Sequence, residues 1–276
     1  MNKAVDKARS YYDSEDADRF YELVWGGEDI HIGLYEPENI SVREASRRTV
    51  MRMADMVSEH LRPGVPVLDL GAGYGGAARF LASQFGVQVV CLNLSEVENQ
   101  KNLEKNQRAG LDDRIRVVTG NFEDLDFPDH SFPLVWSEDA ILHSGEKEKV
   151  FSEVARVLQK GGSFVFTDPM QVDDCPPGVL EPIYDRIHLN SMGSLGSYDS
   201  ILSQLGLRQE KVLDFTPFLV LHYSRVRDEI LGRRDFLCQH ISEAFLDRMV
   251  EGLGHWIEGG KRGFLFWGIL HYRRIR

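Results

Sequence analysis

The run Val67-Leu68-Asp69-Leu70-Gly71-Ala72-Gly73-Tyr74-Gly75-Gly76 places a carboxylate, then a glycine-rich turn, at the end of an apolar stretch. Gly71, Gly73 and Gly76 have the G-x-G-x-x-G spacing of a loop that lets backbone approach a nucleotide cofactor. In a dinucleotide site the turn and the following helix N-terminus hold a pyrophosphate. A carboxylate at Asp69 would repel that anion and would welcome a nucleoside cofactor carrying a free ammonium and no phosphate. A nicotinamide-dependent oxidoreductase is the competing reading of the glycines, and Asp69 argues against it. Other polar residues recur at the ends of apolar runs: Asn93 before Leu94, Asn121 before Phe122, Ser137-Glu138-Asp139 with His143 close behind, and Asp168-Pro169-Met170.

The elements that position these residues alternate. Short apolar strands are predicted over Val65–Leu70, Val87–Leu92, Arg114–Thr119, Phe132–Trp136 and Ser163–Thr167. Between them the pattern predicts helices over 74–85, from Ser95 to Ala109 and from Glu146 to Gln159, the last closing at Gly161-Gly162. Ser41 with Glu44 three residues on forms a capping box for a helix to about His60. Strands separated by helices predict a parallel, doubly wound α/β sheet. In such sheets ligands sit beyond the carboxyl ends of the strands, where the polar residues above fall. Residues 171–206 contain Pro176, Pro177 and Pro182 and read as an irregular helical insertion. Val212–Phe215 reads as a sixth strand, 218–256 as helix in two pieces, and Gly263–Tyr272 as a terminal strand.

The expected organisation is a helical cap over 1–62, a cofactor-binding core over 63–170, an insertion forming a substrate lid over 171–211, and completion of the sheet over 212–276. Net charge is −11 with 42 % hydrophobic and 27 % charged residues, an ordinary globular composition. The acidic balance, with a pI near 5.3, leaves no basic face for nucleic acid. Cys91, Cys175 and Cys238 are far apart and odd in number, which offers neither a disulfide framework nor a metal set. No window has the apolar length of a membrane span, and Met1–Ser10 lacks a secretion signal's apolar centre. A cytoplasmic protein is expected, acting as monomer or homodimer on a small molecule, with no nucleic-acid, membrane or metal partner.

The stretch from Val67 to Gly73 resembles motif I of the class I S-adenosylmethionine-dependent methyltransferases. The segment Trp136-Ser137-Glu138-Asp139-Ala140-Ile141-Leu142-His143 is similar to small-molecule N-methyltransferases, as is Tyr21-Glu22-Leu23-Val24-Trp25-Gly26-Gly27-Glu28. Likeness to the sarcosine/dimethylglycine N-methyltransferases extends through Thr167-Asp168-Pro169-Met170, Asp185-Arg186-Ile187, Met192-Gly193-Ser194-Leu195-Gly196, His222-Tyr223-Ser224 and His255-Trp256-Ile257-Glu258-Gly259-Gly260. It covers nearly the whole chain and is carried more specifically by these later segments than by the glycines.

The resemblance implies a Rossmann-like sheet with an antiparallel terminal strand, S-adenosylmethionine as cofactor, and an amino-acid amine as substrate. It implies that Asp69, Gly71, Ala72, Gly73, Asn93, Leu94, Asn121, Phe122 and Ser137 bind the cofactor. Asn93 stands where the family usually has Asp or Glu on the ribose hydroxyls, and an amide bonds them without charge assistance. Methyl transfer to dimethylglycine, giving glycine betaine, needs loss of the ammonium proton and alignment of the lone pair. His143 is the expected proton acceptor, with Tyr12 closing the site as in phosphoethanolamine relatives. Trp25, Tyr198 and Tyr223, with Tyr12 and Trp256, are candidates to face the quaternary ammonium. Arg186 is expected to bind the substrate carboxylate bidentately, and Asp168, Pro169, Met170 and Met192 to shape the pocket. A phosphoethanolamine-type substrate, the alternative, would call for a cluster of Lys and Arg. The insertion offers only Arg186 and, further on, Arg208.

Overall fold

The computed structural model describes residues 13–187 and 191–276. Strands β1 (Pro66–Leu70), β2 (Gln88–Asn93), β3 (Ile115–Thr119), β4 (Phe132–Glu138) and β5 (Leu158–Thr167) run parallel. Two later strands, β7 (Leu207–Asp214) and β9 (Gly268–Arg274), complete a seven-stranded sheet in the order β3-β2-β1-β4-β5-β9-β7, with β9 antiparallel to both neighbours. Strand order reverses between β1 and β4, so the crevice beyond their carboxyl ends is the place for a ligand.

Alternation along the strands sends side chains to two layers. From β1, Val67 enters one core and Leu68 and Leu70 the other. The first core is closed by α2 (Val42–Met56) and α3 (Gly76–Phe85), and the second by α5 (Lys147–Val157) and α7 (Leu195–Gln204). The Ser41–Glu44 capping box is present at α2, and Ser95 caps α4 (Glu96–Arg108) through the Glu98 N–H at 3.1 Å.

Four boundaries differ from the sequence expectation. Helix α2 stops at Met56 and a 3-10 turn, Ser58–His60, finishes the run. Helix α5 ends at Val157 and β5 begins at once, so Gly161, at φ +80°, and Gly162 belong to the strand, not to the helix end. β7 starts at Leu207, five residues earlier than the apolar pattern suggests. It is the sheet edge and exposes Arg208, Gln209, Glu210 and Lys211, so no alternation marks it. The terminal strand breaks at Trp267. Leu265–Phe266 (β8) pairs with Met170–Gln171 (β6), and only Gly268 onward joins the main sheet.

A third core lies above the strand ends. Helix α1 (Glu15–Phe20) passes into a π turn, Tyr21–Trp25, and packs on α8 (Thr216–Gly232) and α10 (Glu243–Lys261). Residues 26–36 then form a strap across the carboxyl ends. Ion pairs Glu28–Arg79, Glu28–Lys105 and Asp29–Arg47 fasten it. Among the described residues no helix is long and apolar enough to cross a membrane.

Candidate active site

The turn after β1 is held tightly. Gly71 N–H donates to the Leu92 carbonyl at 2.8 Å, and Ser137 Oγ–H donates to the Leu70 carbonyl at 2.8 Å. Gly71 sits at φ +75°, and a Cβ there would collide with the Cβ of Ala140. Glycine is required on both counts. Ser137 is fully buried and spends its hydroxyl on this link, so it supports the loop and does not line the pocket.

The pocket beyond the loop is lined by Gly71 and Gly73, by Asn93 and Leu94 after β2, by Asn121 and Phe122 after β3, and by Glu138, Asp139 and Ala140 after β4. Asn121 Oδ1 accepts the Glu123 N–H at 2.9 Å and so shapes its own turn. Asn93 Nδ2 donates at 2.8 Å to Glu98, whose other carboxylate oxygen is buried in the same pocket without a hydrogen-bond partner. Burial pushes the Glu98 carboxyl up to about 7. Sequence reasoning missed Glu98. At Ser-x-x-Glu spacing it looks like the second half of a capping box, but its side chain turns to Asn93 instead.

These residues fit S-adenosylmethionine. Gly71 is a cradle that any side chain would fill, and Glu98 keeps an acceptor for a hydroxyl where Asn93 lacks charge. Acidic groups surround the pocket, which suits a cation and repels a pyrophosphate. Asp69 and Ala72 line a smaller cavity behind the loop, with Asp29, His31 and Glu138. Burial, then the neighbouring Glu138 and Asp29 charges, raise the Asp69 carboxyl well above its ordinary range. Burial likewise pushes Glu138 up to about 7.

A second cleft, of about 650 Å³, opens toward α8 and α10 and meets the first pocket at Ile30, Asp139 and His143, which line both. Asp139 has φ +49°, a left-handed conformation uncommon outside glycine. Its carboxylate accepts the Ile32 N–H at 2.7 Å and the Trp267 Nε1–H at 2.8 Å, joining strap and terminal strand at the meeting point. His143 ends a 3-10 turn, Ile141–His143. Burial, and then the Lys147 charge, lower its imidazole to about 4, so it is neutral at physiological pH.

Trp25, Tyr223 and Trp256 form an aromatic wall of the cleft, with Tyr223 centred 5.6 Å from Trp256 and 6.4 Å from Trp25. Pro169, Arg186 and Arg248 also line it. The Arg186 guanidinium donates to the Arg248 carbonyl at 3.0 Å and lies 2.9 Å from Met249 Sδ, so part of its donor set is already engaged. Arg248, on α10, was not anticipated; it lies in a segment read only as helix.

Four expected pocket residues face elsewhere. Asp168 is fully buried and accepts the Leu142 N–H at 2.8 Å and the Tyr198 O–H at 2.7 Å. It therefore holds the turn that presents His143 instead of touching a substrate. Tyr198 packs edge-on against Phe151 at 4.8 Å, in the core on the far face of the sheet. Met170 belongs to that same core, and Met192 is buried in the other. Tyr12 lies outside the described residues. Asp168→Ala would orphan two buried donors, and should cost about 3 kcal/mol. That corresponds to a thermal midpoint lower by about 6 to 10 °C in a chain of this size, read by calorimetry.

Residues 68–166 match the family described as methyltransferase domain. The chain is 50 % identical to a sarcosine/dimethylglycine N-methyltransferase of Halorhodospira halochloris, over 99 % of this chain and 98 % of the relative. It is also 50 % identical to one of Aphanothece halophytica, over 97 % and 96 %. A crystal structure from Galdieria sulphuraria, assigned as a sarcosine dimethylglycine methyltransferase, superposes with a TM-score of 0.91 at 45 % identity, covering 96 % of this chain and 100 % of that one. A Rossmann-like fold with its glycine cradle, and two cavities meeting at Asp139 and His143, accompany identity of this extent: the chain belongs to the sarcosine/dimethylglycine N-methyltransferases, within the class I S-adenosylmethionine-dependent methyltransferases.

Proposed function

We propose that this protein methylates the amine nitrogen of dimethylglycine, and of sarcosine before it, to give glycine betaine. The observation that carries the reading is the junction of the two cavities at Ile30, Asp139 and His143, in a chain half identical to relatives named for those substrates. When bound, S-adenosylmethionine supplies an electrophilic methyl group on a sulfonium.

The chain's own residues do the rest by positioning and by handling one proton. Asp139, backed by two donors, faces the cationic amine and fixes the nitrogen at the junction. His143, neutral, offers a lone pair to the ammonium proton that must leave before attack. The aromatic faces of Trp25, Tyr223 and Trp256 stabilise the quaternary ammonium of the product without offering it a base. Glu98, with Asn93, takes the ribose hydroxyls through a charge-assisted bond. Strap residues from Glu28 to Gly33 cover the junction and keep water from it.

Arg248 and Arg186 bind the substrate carboxylate. Arg186 is half engaged by protein groups, so Arg248 carries the larger share. Arg248→Ala is expected to raise the KM for dimethylglycine about tenfold, the scale of one charged hydrogen bond, while the Kd for the cofactor stays unchanged. Steady-state kinetics with parallel calorimetry measure both.

The function is tested by comparing sarcosine, dimethylglycine and phosphoethanolamine as acceptors with products identified by mass. Turnover of the two amino acids, with none of phosphoethanolamine, is expected. Turnover of phosphoethanolamine in preference to them would overturn the substrate reading.

A further inference from the structure

Behind the glycine loop lies a cavity of about 30 Å³, room for roughly one water. It brings together Asp29 and His31 from the strap, Asp69 from β1 and Glu138 from β4. Asp69 Oδ2 is buried there without a hydrogen-bond partner, and His31 Nε2 and Glu138 Oε1 are buried facing each other. The remaining charges that face the cluster are few. Arg47 of α2 lies 2.9 Å from Asp29, His31 Nε2 lies 3.3 Å from Glu138, Asp139 adjoins Glu138, and the Glu28–Arg79 pair stands behind Asp29. Three buried carboxylates against one imidazole and one directly paired guanidinium leave a negative charge uncompensated, and burial then favours a proton retained on the cluster.

Glu138 is the acidic member that also lines the cofactor pocket. It directly precedes Asp139, where that pocket meets the amine cleft and where the methyl group must pass. We propose that Glu138 reads the charge of the cofactor: it releases a proton when a sulfonium enters the pocket and recovers one when only the thioether remains, so that the protein prefers S-adenosylmethionine to S-adenosylhomocysteine. The proposal rests on the cofactor reading above. The two ligands share the ammonium, the carboxylate and the adenosine, and differ by one methyl group and one positive charge. The carboxyl O–H bond breaks as the cation arrives and the proton goes to solvent. With the cation gone, the carboxylate is reprotonated from solvent. Asp29 and Asp139 raise the cost of leaving Glu138 charged without a cation, which makes the residue selective between the two ligands.

The experiment is calorimetric binding of each ligand to the whole protein at pH 6.5, where both ligand amines are mainly ammonium. Repeating it in two buffers of different ionisation enthalpy counts the protons exchanged. S-adenosylmethionine should release up to about one proton more than S-adenosylhomocysteine. Glu138→Gln should erase that difference and lower the ratio of the two affinities about tenfold, the equivalent of one pKa unit. Equal proton counts for the two ligands in the unaltered protein would overturn the proposal. So would a difference that survives unchanged in Glu138→Gln. Binding of neither ligand would instead overturn the cofactor reading itself.

Discussion

Replacing His143 with alanine is expected to lower kcat about 100- to 1000-fold, with the Kd for S-adenosylmethionine within about threefold of its original value. The size is that of losing one positioned proton acceptor. The selectivity for kcat follows from location. His143 stands where the two cavities meet, while the part of the pocket proposed to take the adenosine is lined by Asn93, Leu94, Glu98 and Phe122. Burial and Lys147 hold the imidazole near 4, below its ordinary value. A histidine with a lowered folded value is neutral above it, so His143 stays unprotonated from pH 5 upward. Its own titration contributes no limb to the rate profile between pH 6 and 9, and any rise of rate there belongs to other groups, the substrate ammonium first. The deficit of His143→Ala should accordingly shrink as pH approaches the range of alkylammonium deprotonation, near 10, because a free amine needs no acceptor. A deficit constant with pH would assign His143 to positioning alone. Rates of both proteins across that range, with cofactor binding by calorimetry, decide it.

Gly71→Val should abolish measurable cofactor binding, weakening it more than about 100-fold. Two costs coincide. A β-branched side chain at φ +75° is strained, and its Cβ would collide with Ala140 on the turn that carries Asp139. Relief requires moving either the loop or the junction, and both form the pocket. Gly161→Ala is the matched comparison. It has φ +80° but open space around the added carbon, near the amino end of β5 and away from the carboxyl ends that form the pocket. It should lower stability by about 1 kcal/mol, the cost of a left-handed alanine, and leave cofactor binding unchanged. Equilibrium binding and thermal melts of the two variants separate loss of the cradle from backbone strain.

Much of the architecture was legible because parallel strands, buried on both faces, announce themselves as apolar runs between helices. Where burial fades, so does the signal. The edge strand Leu207–Asp214 carries polar residues, and only its last part has an apolar pattern. Trp267 looks like one more apolar residue in a strand, and its break is made by pairing of Leu265–Phe266 with Met170–Gln171, which no local pattern encodes. The site divides in the same way. Residues fixed at strand ends, such as Gly71, Asn93, Leu94 and Phe122, fall on the pocket because strand direction sets where they point. Beyond β5 the chain is irregular, and chemistry alone does not tell a pocket side chain from a supporting one. Asp168 and Tyr198 bond each other beneath the turn, and Met170 and Met192 fill cores. Conversely Asp139 depends on a left-handed backbone at a non-glycine residue, and His31 on the path of an extended strap, neither of which shows in residue type.

In the proposed reaction the two cavities present one methyl group to one amino-acid amine. Incubation of the protein with methyl-labelled S-adenosylmethionine and dimethylglycine, followed by mass identification of the labelled product, tests it most directly. Glycine betaine carrying a single labelled methyl on nitrogen is expected, formed together with an equal amount of S-adenosylhomocysteine. Tight cofactor binding with no label in glycine betaine, or label on another acceptor in preference to dimethylglycine, would contradict it.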